Sequence, residues 1–424
     1  MLVSIRTVLT AALVGALPLT ASATASATQP PAPRTERITS APDGSPAGFD
    51  TYEASMSPDG RYVAFPSWAP GLVPGDPEHD PDLFVRDVRT GTLRRIPIVI
   101  EGDTTGWSAE NVSISADGRF LTFAARHNGP PDDGTPADQI YVHDLRTGST
   151  ERASVGLHGR PGVAWRDRPG ISADGRYVLF TAWANSMESD EDKGIVRAYV
   201  RDRVTGTTTR VSPVDGEYIP SRPSMSADGR RIAFTFGERY MGPDYPYGPS
   251  KVIVVDRPTG RETVAHVGRG AGGTVLSADG RKLLFNSDAP DVVPGDGNGE
   301  QDAFVRDLET GRTVRVSEAA GGGDAHGWSE GEQLSADGRF AVLASTAPDL
   351  VEPRAGGDAA VYVRDLRTGR TTRIDLAHDG TPLSGVFDLA GIAPDGHRVA
   401  FASNAPNVLP DADSTWQVYL RTVR

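Results

Sequence analysis

The chain has 424 residues, a formal charge of −13 and no cysteine. It therefore has no disulfide, no thiolate metal site, no thiol nucleophile and no lipid-modified cysteine behind a leader. Its 43 Lys and Arg are scattered rather than blocked, which excludes the concentrated cationic face that a phosphate backbone needs; no nucleic-acid partner is expected.

Residues 1–27 read as a targeting segment. Arg6 gives a positive start, residues 8–19 are apolar, and Ala21-Ser22-Ala23 or Ala25-Ser26-Ala27 offers a small-residue cleavage site. The apolar stretch is short of the ~20 residues a spanning helix requires, and no later run approaches that length. The reading is a signal peptide, removed, leaving residues 28–424 as one domain without a membrane span, secreted or held in the cell envelope or periplasm.

From Asp59 onward one unit recurs. Asp-Gly-Arg follows Ser-Ala or Ser-Pro at Asp59, Asp117, Asp174, Asp228, Asp279 and Asp337, and a seventh copy reads Asp395-Gly396-His397. Successive aspartates are 58, 57, 54, 51, 58 and 58 residues apart, and self-similarity at such a period marks a solenoid or a propeller. In the first copy the turn at 57–61 precedes a short apolar run at 62–65, a polar loop, Val85-Arg86-Asp87, Thr90-Gly91 and a basic, β-branched run at 93–96. Runs of four to six residues bounded by Gly, Asp and Pro predict strands. Asp-Gly and Thr-Gly supply the positive φ of two tight hairpins per copy, so each copy predicts four antiparallel strands.

Such a unit cannot bury its own apolar faces, and seven of them close into a ring that removes most sheet edges. The predicted fold is all-β: a seven-bladed β-propeller of four-stranded antiparallel blades. The last copy stops after Gln417-Val418-Tyr419-Leu420-Arg421, its third strand. Thr35-Glu36-Arg37-Ile38-Thr39-Ser40 matches the fourth strands of other copies, such as Thr208-Thr209-Arg210-Val211-Ser212. The N-terminal strand is therefore expected to complete the last blade and close the ring.

Alternating long connections fall on one face of a propeller, where binding residues gather on a rigid scaffold. Two of these loops are acidic. Asp296, Asn298, Glu300 and Asp302, and likewise Asp76, Glu78, Asp80 and Asp82, place oxygen ligands at every second position, a spacing that can wrap calcium. Asp411, Asp413 and Thr415 echo it. Trp107, Trp165, Tyr218, Trp328, Tyr240, Tyr245, Tyr247 and Trp416 also fall in long loops and suit a stacking rim or loop packing. Gly327-Trp328-Ser329-Glu330-Gly331 matches a hydrolase nucleophile motif but is expected in a loop between blades, without the strand–turn–helix that motif requires. No two histidines stand at metal-ligand spacing. Arg61 with Asp87 and Arg281 with Asp307 are expected to pair between strands.

The segments Ser-Ala-Asp-Gly-Arg-Lys-Leu-Leu-Phe at 277–285 and Asp-Ala-Phe-Val-Arg-Asp-Leu-Glu-Thr-Gly at 302–311 resemble the WD-like propeller repeats of the TolB family. That resemblance implies the propeller fold and a choice of roles: periplasmic interaction modules, propellers that gate peptidases, or sugar lyases. It carries no catalytic residue over. The expected function is a monomeric, non-enzymatic scaffold that binds a protein, peptide or envelope glycan. The alternative is a polysaccharide lyase or hydrolase using long-loop acids.

Overall fold

A computed structural model describes residues 34–76, 82–97, 99–100, 107–127, 138–165, 167–188, 195–212, 219–237, 250–268, 270–352, 359–385 and 387–423. The expected signal peptide lies outside them. Among the described residues no helix is long and apolar enough to cross a membrane.

The described strands form seven separate four-stranded sheets. Blade 1 runs Ser55–Met56, Tyr62–Ser67, Asp82–Asp87 and Thr92–Ile96, from the innermost strand outward. Blades 2 to 6 repeat that order, with inner strands Trp107–Ile114, Gly170–Ile171, Ile219–Met225, Gly272–Leu276 and Ser329–Leu334. Blade 7 takes Phe387–Ile392, Arg398–Ser403 and Gln417–Thr422 from the C-terminal end and Arg34–Arg37 from the N-terminal end. Each inner strand touches that of the next blade, and the inner strand of blade 7 touches that of blade 1, so the seven sheets make a closed ring.

The turn sequence has a local cause. Ser57 Oγ donates to Asp59 Oδ1 at 2.5 Å, and the same carboxylate oxygen accepts the Arg61 N–H at 3.0 Å. Ser57 Oγ in turn accepts the Tyr62 N–H at 2.9 Å, which closes the hairpin. Five later copies repeat the serine-to-aspartate bond at 2.6 Å. The glycine is required twice over. Gly118 has φ +68°, and an added Cβ would lie 2.2 Å from the ring of Tyr62 in the preceding blade. Phe120 on Gly175 and Tyr177 on Gly229 repeat this contact between blades.

Arginine of the first turn reaches the aspartate that opens the second. Arg61–Asp87, Arg119–Asp144, Arg176–Asp202 and Arg339–Asp365 close at 2.6–2.7 Å and clasp the two tight turns of their blades. Blade 5 differs from expectation: Arg281 takes Glu309 at 2.7 Å rather than Asp307, because Glu309 offers a carboxylate two residues further into the same turn. These pairs lie in solvent that screens them, so each adds little to stability by itself. Arg176 holds the Asp202 carboxyl down to about 2, so its contribution is present above the unfolded value near 4 and is lost as pH falls toward 2. Inside the blades, second and third strands face each other through stacked rings such as Phe65–Phe84 and Phe285–Phe304, both 5.6 Å between centroids.

Ring closure is antiparallel pairing of Arg34–Arg37 with the end of Gln417–Thr422, in the register Arg34↔Thr422 to Arg37↔Tyr419. Ile38 extends it, donating its N–H to the Val418 carbonyl at 2.7 Å and burying its side chain with Phe65 of blade 1 and Val418 of blade 7. Arg86 of blade 1 grips the Ile38 carbonyl at 2.7 Å. The segment thus staples the last blade to the first, and Ile38 alone stabilises by about 1.5–3 kcal/mol. Deleting residues 34–40 is expected to lower the melting temperature by about 10 °C or more, or to drive strand-exchanged oligomers. Scanning calorimetry with size-exclusion chromatography checks this, and an unchanged monomer would refute the account of closure.

Candidate functional site

The acidic loops come first, because the sequence points to them. Asp296 and Asp302 do converge, together with Asp324, but the cation at their centre is the guanidinium of Arg315 on the outer strand of blade 5. Its Nη1 lies 3.4 Å from Asp296, 3.6 Å from Asp302 and 2.5 Å from Asp324. Asn298 donates to Asp302 at 3.0 Å, while Glu300 is exposed. Blade 1 repeats the device: Arg95 pairs with Asp76 at 3.0 Å and with Asp82. Glu78 and Asp80 lie outside the described residues. Arg37 with Asp411, Arg210 with Glu188 and Arg373 with Asp375 are further copies. An outer-strand arginine just before an apolar residue, as in Arg95-Ile96 and Arg315-Val316, is thus the counter-ion of the long-loop face, and this repeated dipeptide was the signal that reading the loops alone missed.

Of the aromatic residues, Trp165 packs edge-to-face on Trp183 at 5.0 Å and Trp416 on Tyr52 at 6.5 Å. Trp107 opens the inner strand of blade 2 rather than lying in a loop. Tyr218, Tyr240, Tyr245 and Tyr247 lie outside the described residues. The nucleophile-like motif is not wholly a loop either: Ser329 begins the inner strand of blade 6, is buried, and bonds Ser345 Oγ at 2.8 Å, which leaves no exposed nucleophile. Two loops bring His326 Nδ1 to Asp349 Oδ2 at 2.5 Å, a pairing that sequence spacing did not reveal.

A second candidate site is the central channel, a cavity of about 500 Å³ lined by the inner strands of all seven blades. Each inner strand runs from the long-loop face toward its Asp-Gly turn, so counting back from the turn aspartate assigns depth. Three residues before it stand Met56, Ile114, Ile171, Met225, Leu276, Leu334 and Ile392, an apolar collar in which every blade takes part. Five to seven residues before it, at the mouth, stand Glu53, Glu110, Asp167, Arg168, Arg222, Glu330, Glu332 and Asp388. Strand rise separates the tiers by about 10 Å.

Local geometry places these groups. Bulges interrupt the inner-to-second strand register at 110–113, 221–224 and 331–333, and Asn111 and Arg222 hold φ of +57° and +46° there. The carbonyl of Arg222 accepts from Thr274 Oγ1 at 2.9 Å, and its guanidinium reaches Glu330 of blade 6 at 2.8 Å. It passes the sector of blade 5, where Gly272 and Gly273 carry no side chain. Glu53 accepts the Val112 N–H of blade 2 at 3.0 Å, and Asp167 accepts from Thr181 at 3.1 Å.

Six carboxylates face two guanidinium groups, and burial raises the proton affinity of four of them, Glu53, Asp167, Glu332 and Asp388. Burial pushes the Glu332 carboxyl above the usual range, and Glu330 and Asp388 add to the shift against Arg222. Asp388 is open to channel water yet walled by protein on its flanks; that partial burial raises it against the pull of Arg168 and Arg222. Burial likewise raises Glu53, against Arg168, and Asp167, against its Thr181 bond. The mouth residues stand in six different blades and are far apart in sequence, and the ring brings them together.

The chain is therefore a seven-bladed β-propeller with a charged channel mouth. No protein-family model and no curated protein matches it. Among solved structures it is similar to an oligogalacturonate lyase in complex with manganese, with a TM-score of 0.54 and 14% identity over 92% of this chain and 93% of that one. It is similar to the β-propeller domain of the Trilobed protease from Pyrococcus furiosus, with a TM-score of 0.52 and 12% identity over 89% and 94% of the chains. That domain is described as having an open velcro topology; the present ring is closed by its N-terminal strand. A putative TolB from Agrobacterium tumefaciens matches with a TM-score of 0.41 and 20% identity, over 80% and 96%. At these identities the likenesses establish the fold alone.

A carboxyl whose pKa rises on folding destabilises the folded state above that raised pKa, and the penalty vanishes below the unfolded value near 4. Glu332→Gln and Asp388→Asn are each expected to raise the melting temperature at pH 7 by about 1–2 °C, with the gain fading toward pH 4. Calorimetric melts across pH 4–8 check this; a gain that grows on acidification would contradict the assignment.

Proposed function

We propose that this protein is an exported propeller that binds a protein, peptide or envelope glycan at the channel mouth on its long-loop face. The observation that carries the reading is the convergence of Glu53, Glu110, Asp167, Arg168, Arg222, Glu330, Glu332 and Asp388 from six blades above a cavity of about 500 Å³, a volume in the range of ligand sites. Rigid strands hold these groups at a cost in stability, as binding sites do.

A second reading is a polysaccharide lyase or hydrolase. It is favoured by Glu332 and Asp388, carboxyls of raised proton affinity that share a cavity with Arg222, since such groups suit acid–base work near neutral pH. The similarity to an oligogalacturonate lyase fits it. Screening short peptides and cell-wall and plant polysaccharides for both binding and turnover separates the two. Saturable binding without product, weakened at least about tenfold in Arg222→Ala, is expected. Product formation that Asp388→Asn abolishes would replace the binding reading with the enzymatic one.

For the long loops we propose calcium only in competition with arginine. An ion between Asp296, Asp302 and Asp324 has to displace the Arg315 guanidinium that already neutralises them. Calorimetry at millimolar calcium is expected to show binding in Arg315→Ala at least about tenfold tighter than in the parent chain, and equal binding would refute the competition.

A further inference from the structure

Both tiers of the channel have bearing on what enters it. At the mouth, the six carboxylates outnumber the arginines Arg168 and Arg222, and Arg222 is engaged by Glu330 at 2.8 Å. Arg168 makes no hydrogen bond or ion pair with the described residues and acts on Glu53 and Asp388 only at a distance. Glu332, which lines the cavity, likewise makes no hydrogen bond or ion pair with the described residues. The mouth therefore carries a net negative formal charge, with Arg168 its one cation not held in an ion pair among the described residues. About 10 Å further in, the collar turns entirely apolar, with one large aliphatic or methionine side chain from each blade. Between the tiers the lining is mostly small, with Ser55, Ser113, Gly170, Ser224 and Gly391, so the passage stays open.

We infer that the channel takes an amphipathic organic cation, whose ammonium group sits between Glu332 and Asp388 and whose apolar part reaches the collar. The inference rests on the binding reading above and narrows its ligand class. An anion is repelled at the mouth. A neutral polyol leaves the carboxylates uncompensated and the collar unfilled, whereas an amine with a hydrophobic tail satisfies both tiers together. A peptide amino terminus that begins with a large apolar residue and a free alkylamine share this chemistry.

The test is titration calorimetry on the full folded chain with n-hexylammonium, 1-hexanol and hexanoate as matched probes. Hexylammonium is expected to bind at one site in the millimolar range or tighter, with hexanol and hexanoate at least about tenfold weaker. Glu332→Gln and Asp388→Asn should each weaken hexylammonium at least about fivefold and leave hexanol unchanged. On the parent chain, rising sodium chloride should weaken hexylammonium alone, which tests the charge without any variant. Leu-Gly-Gly-amide with a free or an acetylated amino terminus identifies the source. Competition by the free form alone assigns a peptide terminus, and failure of both forms while hexylammonium binds assigns a small amine. Equal binding of hexanol, indifference to both substitutions, or no binding of hexylammonium at 10 mM would overturn the inference. If instead a neutral or anionic ligand from the screen occupies the channel, the inference falls and the binding reading stands.

Discussion

The pairing of Arg34–Arg37 with Gln417–Thr422 is the constraint on which the rest of the molecule depends. Residues 382 to 388 positions apart in the chain make it, and the 3.2 Å bond from the Val418 N–H to Thr39 Oγ1 continues it. No blade is complete in its burial without neighbours on both sides: Gly118 packs on Tyr62 of the blade before it, and Ile38 packs between blades 7 and 1. A ring that lacked this staple would leave two blade faces wet and the inner strands free to splay. Closure is also a non-local pairing of the kind that slows folding. The channel tiers exist only after it is made.

The repeat separates positions that build the ring from positions that give it chemistry. The serine and aspartate of the turn, the following glycine and the collar residue have the same character in nearly every blade, because each answers a local need: a hairpin, a close approach by an aromatic ring, an apolar wall. The mouth positions differ from blade to blade, reading Glu53, Asn111, Arg168, Arg222, Gly273, Gly331 and Leu389 at six residues before the turn aspartate. Nothing in hairpin chemistry explains that variation. Carboxyls there are held in a state that favours their protonation, against the stability of the fold, whereas at the turns the arginine clasp on Asp202 lowers its proton affinity and adds stability. Blade 3 carries both signs, Asp167 raised at the mouth and Asp202 lowered at the turn, which separates the scaffold at the turns from the candidate site at the mouth.

Most of the fold was legible before coordinates, and the reason is that it is written in short-range chemistry. Ser57, Asp59 and Gly60 make their turn within five residues, and the Thr35 to Ser40 segment resembles other outer strands closely enough to reveal its blade. The site was far less legible. Acid content in the loop at Asp296 was plain, but acid content does not say which cation answers it, and Arg315 arrives from a strand that reads as ordinary repeat. Arg222 and Glu330 are 108 residues apart and meet only because the ring curves past a blade with glycines at its mouth. Ser329 looked like loop because bulged inner strands begin earlier than their apolar runs do.

Asymmetry of the mouth follows from the same unequal copies. Arg222 leans across the side-chain-free sector of blade 5 and closes it with Glu330, while Glu332 on that same strand and Asp388 of blade 7 make no ion pair among the described residues. A symmetrical ring of seven would present a ligand with seven equivalent poses. This one sets unequal charge over a collar that is nearly uniform, so in the proposed binding mode charge would orient a ligand and hydrophobic contact would hold it regardless of rotation. Orientation and retention are thereby assigned to different tiers of the same strands, and substitutions at one tier should leave the energetics of the other largely intact.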